Sequence, residues 1–174
     1  MRRLKIIIFS LICLLQITGI KSYAQPVAAT GHIFAEIIPV YSATETSQLN
    51  FGRFSPGIQG GRIILTPQST VAVQGSIFTG SGMHNAASFL VSGDFDAAYS
   101  ITLPSAPVVI TNTSSSRTMQ VTDWVSVPGP GIDSGMLQDG FQVVYVGATL
   151  KVGTLNDNPV GIYTGSYVIT FDFY

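Results

Sequence analysis

Between Gln25 and Tyr174 no window repeats apolar residues at the three- and four-residue spacing of a buried helix face. Short runs rich in Val, Ile, Thr, Phe and Tyr recur instead, each cut off by a cluster of Gly, Pro, Asn or Ser. That rhythm restricts the chain to sheets. With no crossover helices, parallel α/β folds are excluded, and the expected fold is an all-β antiparallel β-sandwich of immunoglobulin or pilin type. The expected strands are His32–Tyr41, Leu49–Phe54, Gly61–Thr66, Val71–Ile77, Ala87–Ser92, Tyr99–Leu103, Val108–Thr111, Met119–Val127, Gln142–Val146, Thr149–Val152 and Tyr163–Phe173. Turn signals separate them at Ser55-Pro56-Gly57, Gly60-Gly61, Gly80-Ser81-Gly82, Pro128-Gly129-Pro130-Gly131 and Asn156-Asp157-Asn158-Pro159. Residues 128–140 read as a loop.

The first 24 residues follow a different pattern. Arg2, Arg3 and Lys5 precede a mostly apolar stretch from Ile6 to Ile20, and Ser22-Tyr23-Ala24 supplies the small residues that a signal peptidase reads. The apolar stretch is about 15 residues, short of the roughly 20 that span a bilayer. The expected organisation is a signal peptide at 1–24, a flexible lead-in at 25–31 and one β-sandwich domain at 32–174. The chain is therefore read as exported, to the periplasm, the outer surface or the extracellular space, with no transmembrane segment after cleavage. Cys13, the only cysteine, leaves with the signal, so the remaining domain must hold together without disulfides.

Cleavage also changes the charge. The whole chain carries −1, but after residue 24 only Arg53, Arg62, Arg117 and Lys151 stand against nine acids, a net of −5. A sparse, acidic surface offers no basic patch, which argues against nucleic acid as a partner.

The final strand has the clearest alternation. Tyr167, Ile169, Phe171 and Phe173 share one face, and Ser166, Val168, Thr170 and Asp172 share the other. The aromatic face is expected inward, or as a surface for assembly.

The chemistry-bearing residues are few. Asp94 and Asp96 flank Phe95 and read first as a polar hairpin turn between the strands ending at Ser92 and beginning at Tyr99; as a site they would suit Ca²⁺ or a glycosidase acid pair. Asn156-Asp157-Asn158-Pro159 reads as a turn. His32 and His84 lack partners at zinc-ligand spacing. Neither a G-x-S-x-G elbow nor a phosphate-cradling glycine loop occurs. Trp124, the sole tryptophan, is either the largest core residue of a central strand or an exposed platform for a sugar ring. No catalytic set and no cofactor are expected.

An ordered series of words spans most of the chain. It runs from Leu49-Asn50-Phe51-Gly52 through Gly61-Arg62-Ile63-Ile64-Leu65-Thr66-Pro67, Ala87–Gly93 and Tyr99–Pro104. It continues through Val146–Val152 to Gly161-Ile162-Tyr163-Thr164-Gly165-Ser166-Tyr167. In that order the words resemble a bacterial exported family, domain of unknown function 4402. The resemblance supplies no site residues. It implies a wider likeness to pilus-subunit and spore-coat-U-like β-sandwich domains. Phe173 as penultimate residue and Gly161 as fourteenth from the end echo subunits that exchange strands. Such subunits usually carry a disulfide, and Pro39 interrupts the alternating Ile33, Ala35 and Ile37, which serve equally as an ordinary first strand.

The function expected from these readings is an exported, non-enzymatic structural or adhesive β-domain acting by packing and strand-edge contacts. Its expected partners are like subunits or other surface proteins. The alternative is an extracellular module that binds glycans or Ca²⁺.

Overall fold

The computed structural model describes residues 28–38 and 40–174. The signal reading of residues 1–24 lies outside the described residues. The chain divides into two units at Ile37/Ile38. In the first, residues 28–37 are exposed and form no regular secondary structure. The strand expected at His32–Tyr41 is therefore not formed at residues 32–38, 40 and 41.

The second unit is all β. Its strands are β1 Ser42–Ser47, β2 Phe54–Leu65, β3 Val71–Thr79, β4 Ala87–Ser92, β5 Ala98–Thr102 and β6 Val108–Asn112. They continue with β7 Thr118–Val127, β8 Gly131–Met136, β9 Phe141–Val152, β10 Tyr163–Thr164 and β11 Thr170–Phe173. Every pairing is antiparallel. The large sheet runs β1-β4-β9-β7-β6-β10, with β2 also on β9 and β3 on β2; the small sheet runs β11-β5-β8. The large sheet curls into a half-barrel, a sandwich-like arrangement that agrees with the expected class. Among the described residues no helix is long and apolar enough to cross a membrane.

Strand β9 organises the large sheet. One flank of it pairs with β4 from Phe141 to Val146 and with β2 from Ala148 to Val152. Its other flank pairs with β7. Gly147 falls between the two partners. A side chain there would drive into the backbone at Leu65 and Thr66, so only glycine lets β4 and β2 meet side by side on one strand. Two hydrophobic clusters line the inner face. One holds Ala87, Val91, Val144 and Val146 from the large sheet against Tyr99, Ile101 and Leu137. The other holds Ile63, Ile77, Met119, Val121, Ala148, Leu150 and Val152, which β2, β3, β7 and β9 supply. The small sheet contributes to the first cluster and not to the second.

Further sequence expectations change on folding. The strand expected at Leu49–Phe54 is not formed: Asn50 makes only an isolated bridge, to Asn85, and Phe54 opens β2. Residues 128–140 contain a strand, β8, whose Gly135 lies opposite Tyr99. The Gly and Pro clusters at Ser55–Gly57 and Gly60-Gly61 are not turns but lie within β2. There Gly57–Gly60 stand opposite Ser76 alone, so the extra residues are absorbed as a bulge. Gln142–Val146 and Thr149–Val152 are one strand. Tyr163–Phe173, expected as one strand, forms two short ones: β10 pairs with β6 in the large sheet and β11 with β5 in the small one.

The inward face of that last segment is as the alternation predicts. Tyr167, Ile169, Phe171 and Phe173 are half-buried against the first cluster, whereas Ser166, Val168, Thr170 and Asp172 are exposed. Phe171 packs on Tyr99 and Phe89, with ring centroids 5.9 and 6.1 Å away. A carboxylate in its place would be buried without a partner. Phe171→Asp is expected to abolish the cooperative melt seen by circular dichroism; a soluble variant that melts cooperatively refutes this packing.

Tyr99 is fully buried and donates to Gln142 Oε1 at 2.5 Å. Burial pushes its hydroxyl from 10.0 up to about 12. The folded state thus holds this proton more tightly than the unfolded chain does. Its contribution is intact below pH 10 and is lost as pH rises from 10 to 12. The melting temperature should fall across that window, and Tyr99→Phe should flatten the fall. An equal slope in both proteins would show that other groups carry it.

Candidate functional site

The uncovered half of the large sheet is the floor of a groove of about 1050 Å³. Val108 and Ile110 on β6, Met119, Val121 and Trp124 on β7, and Leu150 on β9 form that floor. Residues 48–56 make one wall and residues 158–167 the other. Glu45, Arg53 and Asn85 place polar groups along the rim.

Both walls are braced by local hydrogen bonds. On the first, Asn50 and Asn85 exchange backbone bonds at 2.9 and 3.0 Å, and Asn85 Nδ2 donates to Gln48 O at 2.6 Å. On the second, Asn158 Nδ2 donates to Thr118 O at 2.8 Å, and Tyr163 donates to Pro159 O at 2.9 Å. The Asn156–Pro159 turn is closed as its residue types predict. Asp157 Oδ2 accepts from the Thr154 hydroxyl at 2.7 Å and from its N–H at 3.1 Å. These two bonds hold the Asp157 carboxyl below its ordinary range, with a smaller contribution from the Arg117 charge.

The inner end of the groove is aromatic. Trp124 lies against Tyr167 with ring centroids 4.6 Å apart. Neither Trp124 Nε1 nor the Tyr167 hydroxyl has a hydrogen-bond partner among the described residues, although both atoms are buried. Burial raises the Tyr167 hydroxyl above its usual range, and the Glu45 charge adds to the effect. Each is a covered donor left without a bond, at a cost of about 1–3 kcal/mol.

Trp124 reaches this position through a bulge. Met119 and Val121 face inward, and strict alternation would turn Asp123 in next. The β7–β9 register slips between Thr122 and Val125, and Asp123 adopts φ 50°. The slip exposes Asp123 and turns Trp124 and Ser126 inward instead. Trp124 is half-buried and packs against both hydrophobic clusters. It is neither a fully buried core residue nor an exposed platform.

The wall formed by the last segment is incomplete in its backbone. Gly165–Ile169, between β10 and β11, belong to no strand ladder. Gly165, Ser166 and Tyr167 line the groove directly. Sequence reading singled out Tyr167 and Trp124, and folding brings them together. Ile169, Phe171 and Phe173 lie further along the same segment, against the first cluster and outside the groove lining. The groove floor residues Val108, Ile110, Met119 and Leu150 were legible as strand residues, but nothing in the sequence marks their face as uncovered.

Asp94 and Asp96 sit apart, in the turn before β5. Asp94 Oδ1 accepts the Phe95 N–H at 2.8 Å, and Asp96 takes φ 56°. Among the described residues no three His, Cys, Asp or Glu side chains gather closely enough to hold a metal ion.

These features define a single antiparallel β-domain with a long apolar groove on its inner face. Residues 42–173 match the family described as Domain of unknown function (DUF4402), and the chain belongs to that family. No curated protein and no solved structure matches the chain.

The bulge makes a direct prediction. At the left-handed φ of Asp123, a β-branched side chain is strained by about 1–3 kcal/mol and glycine is not. Asp123→Val is expected to lower stability by about that amount in denaturant melts, with Asp123→Gly close to wild type. Equal stabilities would reject the assigned backbone.

Proposed function

We propose that the chain is an exported, non-enzymatic structural or adhesive domain that works by packing and strand-edge contact. One observation carries this reading: the unladdered backbone of Gly165–Ile169 borders a groove with an apolar floor. An added extended segment would gain ladder hydrogen bonds from that backbone and cover the floor at the same time. The leader-like first 24 residues support export, and the likeness to pilus-subunit domains supports assembly. The glycan alternative would rest on Trp124, which is half-buried and lies against Tyr167.

Fractionation of producing cells tests the proposal. Protease applied to intact cells is expected to release the domain in particles larger than one chain. Ile110→Arg, which sets a charge on the groove floor, is expected to be exported and folded but recovered as single chains. A folded Ile110→Arg protein that assembles as wild type overturns the reading, as does a domain retained in the cytoplasm. Glycan binding that Trp124→Ala abolishes while assembly persists would replace it with the carbohydrate alternative.

A further inference from the structure

Only four Lys and Arg side chains follow residue 24, too few by count to make a basic patch, yet folding gathers three of them on one part of the surface. A row that crosses the large sheet from β3 to β7 reads Gln74, Arg62, Lys151 and Gln120, each the registered partner of the next. Val109 on β6 extends it. Their strand neighbours Ile63, Leu150, Val152, Met119 and Val121 are buried, so the row faces away from the core, and all five of its side chains are exposed. Arg62 and Lys151 stand directly opposite each other, where Cβ atoms are about 5 Å apart and like charges repel. The nine acids of the chain supply neither with a cross-strand partner; the remaining neighbours in the row are neutral amides. Arg117 and Lys151 also line one shallow depression of about 650 Å³, together with Gln120 and Asp157. The Asp157 carboxylate there is already engaged by the Thr154 hydroxyl and N–H. A domain of negative net charge thus carries one local excess of positive charge, held in place against its own repulsion.

We infer that this outer row binds a carboxylated glycan, a chain whose acidic sugars are spaced by neutral ones. The site is separate from the groove, because its side chains leave the opposite face of the same strands, and it does not depend on the strand-edge reading. An Arg fork takes a carboxylate through two parallel hydrogen bonds, and a Lys ammonium takes it as a point charge. A carboxylate seated between Arg62 and Lys151 would replace their mutual repulsion with attraction to itself. Strands lie about 4.8 Å apart, so the row from Gln74 to Gln120 is about 14 Å long, room for a few sugar units. The Gln74 and Gln120 amides offer donors and acceptors for sugar hydroxyls on either side of the two charges. Charges flanked by neutral amides match a chain of low charge density. Other polyanions fit less well. The row has no aromatic side chain on which a base could stack. An anionic bilayer is held by clusters of about four to eight cations, and this surface has three.

The test measures binding of the exported full chain to hyaluronan, in which carboxylated and neutral sugars alternate. Wild type is expected to bind at low salt and to release as salt rises. Neutral dextran should not bind. Arg62→Gln and Lys151→Gln should each bind hyaluronan about tenfold more weakly. Arg53→Gln removes the same charge elsewhere, and Trp124→Ala alters the groove; both should bind as wild type. Lys151→Gln also relieves the repulsion with Arg62, so without glycan it is expected to melt above wild type at low salt, the difference closing at high salt. An equal loss in Arg53→Gln and Lys151→Gln would show that net charge alone is read and would reject the site. Loss on Trp124→Ala would move the glycan to the groove and reject the row; should Trp124→Ala fail to fold, the Arg53→Gln comparison decides. Binding of dextran sulfate without hyaluronan would reject the carboxylated class. A wild type that binds no hyaluronan at low salt, or a Lys151→Gln protein that melts below wild type there, would overturn the inference.

Discussion

One strand must bury its inner face along twelve residues, and the small sheet covers only part of that length. The architecture follows from this mismatch. Strand β9 takes β4 as neighbour over its first half and β2 over its second, and Gly147 makes the change of partner possible. The first half meets β5 and β11 and forms a closed core. The second half meets only the curl of its own sheet and the groove walls at residues 48–56 and 158–167. A groove is the geometric remainder of a long sheet beneath a short lid.

The last segment of the chain joins the two regimes. It starts in the large sheet as β10, crosses without a ladder and ends in the small sheet as β11. Its side chains keep one alternation throughout, so the aromatic face stays inward although the hydrogen-bonding partner changes. The unmet donors of Trp124 and Tyr167 lie where the crossing segment passes over the bulge of β7. Two local irregularities, the bulge of β7 and the unladdered crossing, bring Trp124 and Tyr167 together at the inner end of the groove.

Much of the fold was legible from residue type. Ala87–Ser92 reads as a strand because Phe89, Leu90 and Val91 sit between turn residues, and its bounds agree with β4. The pattern failed where glycine has two meanings. In β2, glycines mark a bulge within a strand; in β8, Gly131 and Gly135 lie in a strand whose neighbour Tyr99 supplies the bulk. Both sites read as turns because the stabilising partner is distant in sequence. The first strand was misplaced for the opposite reason: residues 32–38, 40 and 41 include strand formers but enter no ladder, and polar Ser42–Ser47 pairs with β4 instead. The aromatic face of Tyr167–Phe173 was readable from period two, and Tyr167 belongs to the site. The open floor was not readable, because exposure depends on the extent of the opposing sheet.

The place of β1 has a mechanical meaning. The chain enters it at Ser42 along the strand axis, and its five registered pairs with β4 run from Ser42 to Ser47. Tension arriving from the N-terminal side would pull parallel to that axis and load the ladder bonds together, in shear. A hairpin pulled open from one end breaks its bonds one after another. A strand drawn lengthwise would resist as a set.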